Sequence, residues 1–407
     1  MDGRTMLGTS RNTQERTARF GFAFIGVLLI AANLRVSFVS VGPVLSNISS
    51  DVELSTTAAG LLTGLPLIAF AVFSPIAPGF AVRMGLDRAL WFSLLFLAAG
   101  IVLRSLPVAG LIWAGTALIG LGVAFLNVLV PSLVKRDFPV KVSQVTGSYT
   151  AVQAGIAAVG AALVVPVAHT SPAGWRLALG IWAGMALIAM AVLLPWLRRK
   201  TSVTAVTAAS PQDASYRSPW GSALGWQVTL FMGLQSIAFY VLMGWLPTIE
   251  QDHGVSATTA GLHLSMFLLI NVFASLAAGS LLHRGTDQRL IAFTSGALMV
   301  VTFLGLAVAP AVTLLWVVIG SVGCGSLIVI ALSLFSLRSV NYAQAASLSG
   351  MAQCVGYGLG AMGPVLFGAL RELSGDWTLP LVVTAGIMAV LAMMGLLAGR
   401  DRVISPA

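Results

Sequence analysis

The run AANLRVSFVSVGP, residues 31–43, sets one guanidinium, Arg35, in the middle of an apolar stretch. At about 1.5 Å of helical rise per residue, Arg35 stands about 22 Å from Phe20 and about 15 Å from Leu45, too far for easy snorkelling to either end. An arginine at the centre of a membrane helix costs on the order of 2.5–3.5 kcal/mol on insertion scales, and such residues normally face a protein interior or an aqueous cavity. All 13 acidic residues fall in the loops and tails on the two sides, so no carboxylate is expected at the depth of Arg35. Two kinds of partner remain: backbone carbonyls and side-chain amides, or an anionic solute arriving from solution. A guanidinium stays charged at any physiological pH and grips a small planar anion with two parallel donors. The second partner is the expected one.

Helical phase adds a choice. Asn33, Ser37 and Ser40 share one stripe, about 200° from Arg35, so both faces cannot point into one cavity. Arg35 is expected toward the lumen and Asn33 in interhelical hydrogen bonds, with the reverse left open. The remaining polar candidates for solute contact are Asn127, Gln153, Gln235, Tyr240, Trp245, Asn271, Gln353 and Tyr357. Gln153 extends a stripe with Thr146 and Thr150, and Gln353 and Tyr357 share one with Gly350 and Gly360. Taken singly, each reads more readily as interhelical glue than as a ligand contact. Imidazole is the side chain that changes charge near physiological pH, and His263 is the one candidate for proton coupling. An enzyme would need a nucleophile, a metal set or a carboxylate pair. No H-E-x-x-H, G-x-S-x-G or deep acidic pair is present, and Cys324 and Cys354 both lie in apolar runs. No catalytic residue, metal or cofactor is expected.

The elements that position these residues follow from composition. The 407 residues are 57% apolar and 9% charged, and the mean hydropathy is +0.94, values of an integral membrane protein. A span needs about 20 apolar residues. Twelve are expected, at 20–45, 57–82, 89–106, 110–134, 144–168, 175–197, 225–249, 258–282, 290–309, 312–337, 345–370 and 379–399. The net charge of +9 does not point to nucleic acid. All basic residues except Arg35, Arg104, Arg176 and Arg371 fall in segments on one side, which the positive-inside rule makes cytoplasmic, with both termini there. The expected divisions are a tail at 1–19, a six-helix bundle at 20–197, a Ser-, Thr- and Pro-rich linker at 198–224, a second bundle at 225–399 and a tail at 400–407.

The two bundles repeat. A shift of 201 residues lays STTAAGLLTGLPLIAFAVFS, from Ser55, over SATTAGLHLSMFLLINVFAS, from Ser256. A shift of 203 pairs Trp113 with Trp316 and five glycines of the first half with five of the second, among them Gly147 with Gly350 and Gly160 with Gly363. The fold class is therefore all-α: twelve transmembrane helices in two six-helix repeats, the organisation of major facilitator transporters, with solute near the midplane between the halves. The G-x-G-x-x-G at 358–363 follows no strand and is no nucleotide motif. GYGLGAMGP (356–364) and AGIAAVGAALVVP (154–166) read as packing seams between the halves. GFAVRMGLDR, residues 79–88, resembles a shifted remnant of the facilitator loop signature G-x-x-x-D-R-x-G-R-R, or is a plain basic loop.

At NLRVSFVSVGPVL the chain resembles the cyanate permease and 2-nitroimidazole transporter branch of the major facilitator superfamily, whose first helix carries N-L/M-R-P-x-x-T-S-V-G-P-L-L. Asn33, Arg35, Ser40, Gly42 and Pro43 match, while Val36 stands where the branch carries proline. GLLTGLP (60–66), PSLVKRDFP (131–139) and GWLPTI (244–249) extend the likeness. The resemblance implies a bacterial inner-membrane transporter that moves a small, cyanate-like anion or polar solute by alternating access. The alternative is efflux of neutral heterocycles or drugs such as nitroimidazoles. The expected partners are that solute and membrane lipid, with the chain a monomer.

Overall fold

The computed structural model describes residues 3–54, 56–108, 110–170, 172–198 and 217–404. With no water in a bilayer core, backbone groups must be satisfied within the segment, so apolar runs of this length become helices. The N-terminal half comprises α1 (Gly3–Val39), α2 (Leu45–Asp51), α3 (Thr56–Phe73), α4 (Ala77–Met84), α5 (Leu86–Ser105), α6 (Leu111–Asp137), α7 (Val142–His169), α8 (Gly174–Gly180) and α9 (Trp182–Val192). The C-terminal half comprises α10 (Ala223–Asp252), α11 (Ala257–Leu282), α12 (Arg289–Val308), α13 (Thr313–Leu337), α14 (Tyr342–Ser374) and α15 (Thr378–Ala398). Three helices start on side-chain caps: Ser222, Ser256 and Asn341 accept the backbone N–H of Gly225, Thr259 and Gln344.

Among the described residues 11 helical segments are long and apolar enough to cross a membrane, and the bent pair α3–α4 makes a twelfth. Several boundaries depart from the sequence reading. The span expected at 57–82 breaks by 58° between α3 and α4, where Pro75 and Pro78 withhold the N–H groups a continuous helix needs. The tail expected at 1–19 is helical from Gly3 onward, continuous with the first span. Most of the linker expected at 198–224 lies outside the described residues.

The repeat is built into both ends of the molecule. At the end carrying most of the basic residues, Arg136 grips Asp87 in a bidentate pair at 2.7 and 3.0 Å. Asp87 is buried in the first turn of α5, where the helix dipole favours an anion. Arg338 occupies the matching place in the second half and donates to Gln288 Oε1 and to the Ala398 and Gly399 carbonyls, both at 2.9 Å. Burial pushes its guanidinium down to about 10. At the opposite end Asp51 accepts from Trp175 Nε1 at 3.0 Å and from Arg176, which lies over the Trp175 ring. Asp252, Trp377 and Arg371 repeat that staple.

The halves meet closely at the basic end. A methyl group on Gly279 of α11 would stand 2.7 Å from the Ser143 carbonyl and 3.0 Å from Gly147 Cα of α7, and one on Gly350 of α14 would stand 2.9 Å from the Ser74 carbonyl. Toward the opposite end the halves part, leaving a gap of about 410 Å³ between α3, α10 and α14. The two expected glycine seams lie elsewhere. Gly356, Gly360 and Gly363 pack on Met232, Ser236 and Ile237 of their own half, and Gly160 packs on Val36 and Ser40 of its own. Spacing marked these glycines as close-packing without showing which helix they approach.

Overpacking a tight contact costs about 1–3 kcal/mol. Gly279→Val is therefore expected to lower the Tm of the purified protein by several degrees. Gly155→Val, on α7 where nothing lies within 4 Å, is expected to leave it unchanged. Equal Tm values for the two variants would contradict this seam.

Candidate functional site

The residue that dominates the site is placed by α1. The helix carries Arg35 to the interface between the halves, and the side chain enters a cavity of about 50 Å³. At roughly 10–15 Å³ per enclosed water, that is room for a few waters or a planar solute of a few heavy atoms. The N-terminal half contributes Arg35 from α1 and Thr150 and Ala154 from α7. The C-terminal half contributes Gln235, Ser236, Phe239 and Tyr240 from α10, Leu268, Asn271 and Ser275 from α11, Cys324 and Ile328 from α13, and Tyr357 from α14. Arg35 is the one charged side chain in this wall.

Among the described residues Arg35 has no carboxylate within ion-pair reach and no hydrogen-bond acceptor; its neighbour is the Phe239 ring of the other half, 5.3 Å from Cζ. A cation over an aromatic face contributes about 0.5–2 kcal/mol. That falls short of the roughly 2.5–3.5 kcal/mol insertion cost. The ring orients the guanidinium and leaves its charge uncompensated. Phe70 of α3 meets Tyr357 at 5.0 Å between ring centres, a second aromatic contact across the interface.

Of the residues singled out from sequence, Arg35, Gln235, Tyr240, Asn271 and Tyr357 line the cavity. Asn33 does not: it is 1% exposed, and its Nδ2 donates to the Leu29 carbonyl of its own helix at 2.8 Å. Gln153 is buried one turn from Thr150 and away from the wall. Asn127 and Gln353 form a structural contact between halves. Pro131 has no N–H to give the Asn127 carbonyl, and Gln353 Nε2 takes that acceptor at 3.0 Å. Trp245 donates to the Pro364 carbonyl at 3.0 Å and packs with Phe367 and Trp377, away from the cavity wall. Ser236, Phe239, Ser275, Cys324 and Ile328 line the cavity without having been singled out. Ser236 adjoins Gln235 and accepts from its Nε2 at 3.0 Å, but nothing in an apolar run marks Phe239 or Ile328 as lining.

Two charges expected at the loops are buried. Glu250 is 0% exposed near the end of α10 and accepts from His263 Nδ1 at 2.7 Å, with its Oε2 unpartnered. Arg104 is 2% exposed at the end of α5 and donates to the Ser37 carbonyl at 2.7 Å. Position along a span told their distance from a helix end but not which neighbours cover them. Neither lines the central cavity.

Two helical bundles with a polar cavity at their midplane interface are the architecture of a secondary transporter. The sequence matches the family model of the Major Facilitator Superfamily over residues 23–364, and the chain belongs to that superfamily. It is 41% identical over 379 residues to the 2-nitroimidazole transporter of Escherichia coli (strain K12), covering 93% of this chain and 95% of that one. It is 27% identical over 374 residues to the cyanate transport protein CynX of the same organism, covering 89% and 94%. The fold is similar to that of the proton:xylose symporter XylE, with a TM-score of 0.76, 14% identity and 96% and 98% of the two chains covered. The protein is a multi-pass membrane transporter of small solutes and not an enzyme.

Proposed function

We propose that the protein moves a small planar anion across a bacterial cytoplasmic membrane by alternating access, with Arg35 as the contact that bears the solute's charge. The observation that carries this reading is that, among the described residues, Arg35 has no counter-ion and is the one charge in the cavity wall. Gln235, Asn271 and Tyr357 supply hydrogen-bonding groups around it. The bundles at 20–197 and 225–399 would rock about this point, as a monomer in lipid, with the basic end toward the cytoplasm as the positive-inside rule directs.

Cyanate is a small anion, and the nitro group of a 2-nitroimidazole makes its ring N–H acidic. The solutes in the two relatives' names therefore share a planar form that can carry negative charge. Efflux of neutral heterocycles is the second reading, favoured by Phe239, Tyr240 and Tyr357 around the cavity. Uptake or counterflow in proteoliposomes of cyanate and of an N-methylated 2-nitroimidazole, which has no acidic N–H and stays neutral, separates the two. Arg35→Gln is expected to lower transport of the anion at least about tenfold, the effect of roughly 1.4 kcal/mol, with folding intact. Wild-type anion transport in Arg35→Gln would contradict the role, and transport of the neutral solute unaffected by that change would favour the second reading.

The pair His263–Glu250 is the proposed site of proton coupling. The buried carboxylate has one oxygen on His263 and one free, so the pair can gain or lose a proton as the opposite end of the interface opens and closes. Asp252 and Arg371 are the nearest charged groups of the adjoining staple, and they already pair with one another at 3.6 Å. Glu250→Gln and His263→Gln are each expected to bind solute as wild type does while losing the response of transport to an imposed pH gradient. A retained response in both variants would overturn the assignment.

A further inference from the structure

We propose that the end of the N-terminal half opposite the basic loops holds a second anion site, a pocket between Arg104 and Arg176 for a small carboxylate, separate from the Arg35 cavity. The pocket has a volume of about 210 Å³ and a wall that includes Asp51, Arg104, Pro107, Ile112, Trp175 and Arg176. The break in the first helix explains why an arginine stands there. Ahead of Gly42 and Pro43 the chain tightens, so Val41 N–H turns to the Phe38 carbonyl at 3.2 Å. The Ser37 carbonyl loses its helical partner, and Arg104 Nη1 takes it at 2.7 Å.

That contact uses one donor of five. Arg104 Nε and Nη2 are buried and have no partner, and Arg176 Nε is likewise buried and unpartnered. Nε and Nη2 form one edge of the guanidinium, two parallel donors at the spacing of a carboxylate's two oxygens. The single acid in the wall does not answer this need. Asp51 Oδ2 is engaged by Trp175 Nε1 at 3.0 Å and by Arg176 Nη1, leaving two guanidinium charges against one carboxylate. With Arg176 partly exposed at 25% and Asp51 at 44%, the pocket adjoins solvent on that side.

The second half supplies a built-in comparison. It repeats the staple as Asp252, Trp377 and Arg371. The positions in register with Arg104, at shifts of 201 to 203, are Gly305, Leu306 and Ala307. One carboxylate there meets one arginine. Arg371 Nε is unpartnered as Arg176 Nε is, so that feature belongs to the staple; the surplus charge and the free donor edge of Arg104 belong to the first half alone, and the staple by itself does not require them.

Equilibrium dialysis of radiolabelled formate against the purified full chain tests the proposal. Arg35→Gln protein is the background, so that the central guanidinium contributes nothing and failure of the Arg35 reading does not affect the result. One saturable formate per chain is expected. Adding Arg176→Gln is expected to weaken it about tenfold, and adding Asp51→Asn, which removes the competing carboxylate, to strengthen it severalfold. Arg104→Lys keeps a donor for Ser37 but not the parallel pair, and is expected to abolish saturable binding in a variant that elutes as folded protein. Absence of saturable formate in the Arg35→Gln background, or binding that Arg176→Gln and Asp51→Asn both leave unchanged, would overturn the site.

Discussion

A guanidinium held away from bulk water must be balanced, and the architecture around Arg35 is arranged so that the protein itself does not do it. The insertion cost is of the order of a few kcal/mol, a cation–π contact returns only part, and among the described residues the cavity wall carries no acid. The same guanidinium faces a ring of the opposite half. In the proposed reading, a solute that balances the charge lies where both bundles touch it, which is what coupling of binding to rocking requires.

Around that point, helix breaks are turned into tertiary contacts. Each proline or turn that strips a carbonyl of its helical partner leaves a strong acceptor in a dry interior, where an unmet polar group costs several kcal/mol. Gln353 takes the Asn127 carbonyl across the halves, and Arg104 takes the Ser37 carbonyl within one. Such contacts tie bundles at chosen depths, while the glycine seam at Gly147, Gly279 and Gly350 lets backbones close at one end. Toward the other end the gap beside α3, α10 and α14 shares Tyr240 with the cavity wall.

Much of this was legible in the sequence because the signals were periodic or global. Apolar runs, loop charge and the 201- to 203-residue repeat lead to a two-bundle membrane fold, and Arg35 stood out as a charge out of place. Helix interruptions were harder to place: Pro75 and Pro78 are visible, but the resulting 58° bend depends on what α3 and α4 pack against. The site was half legible. Gln235, Asn271, Tyr240 and Tyr357 are polar residues in apolar runs and do line the cavity, whereas Asn127, Gln353 and Trp245 carry the same signal and hold helices together, and Asn33, expected in an interhelical bond, donates within its own helix. Polarity marks a residue that needs a partner; only the fold says whether the partner is protein. The buried Glu250 and Arg104 were missed for the same reason, since depth along a span is not burial.

The claim that Arg35 waits for an anion is tested most directly by ligand-induced shifts in Tm on purified wild-type and Arg35→Gln protein. Matched solutes that differ in charge alone serve as probes: acetate with acetamide, benzoate with benzamide, and cyanate beside them. Anions are expected to raise the wild-type Tm more than their neutral partners do, and this excess is expected to disappear in Arg35→Gln. Equal stabilisation by the charged and neutral members of each pair, or the same anion response in both proteins, would contradict it.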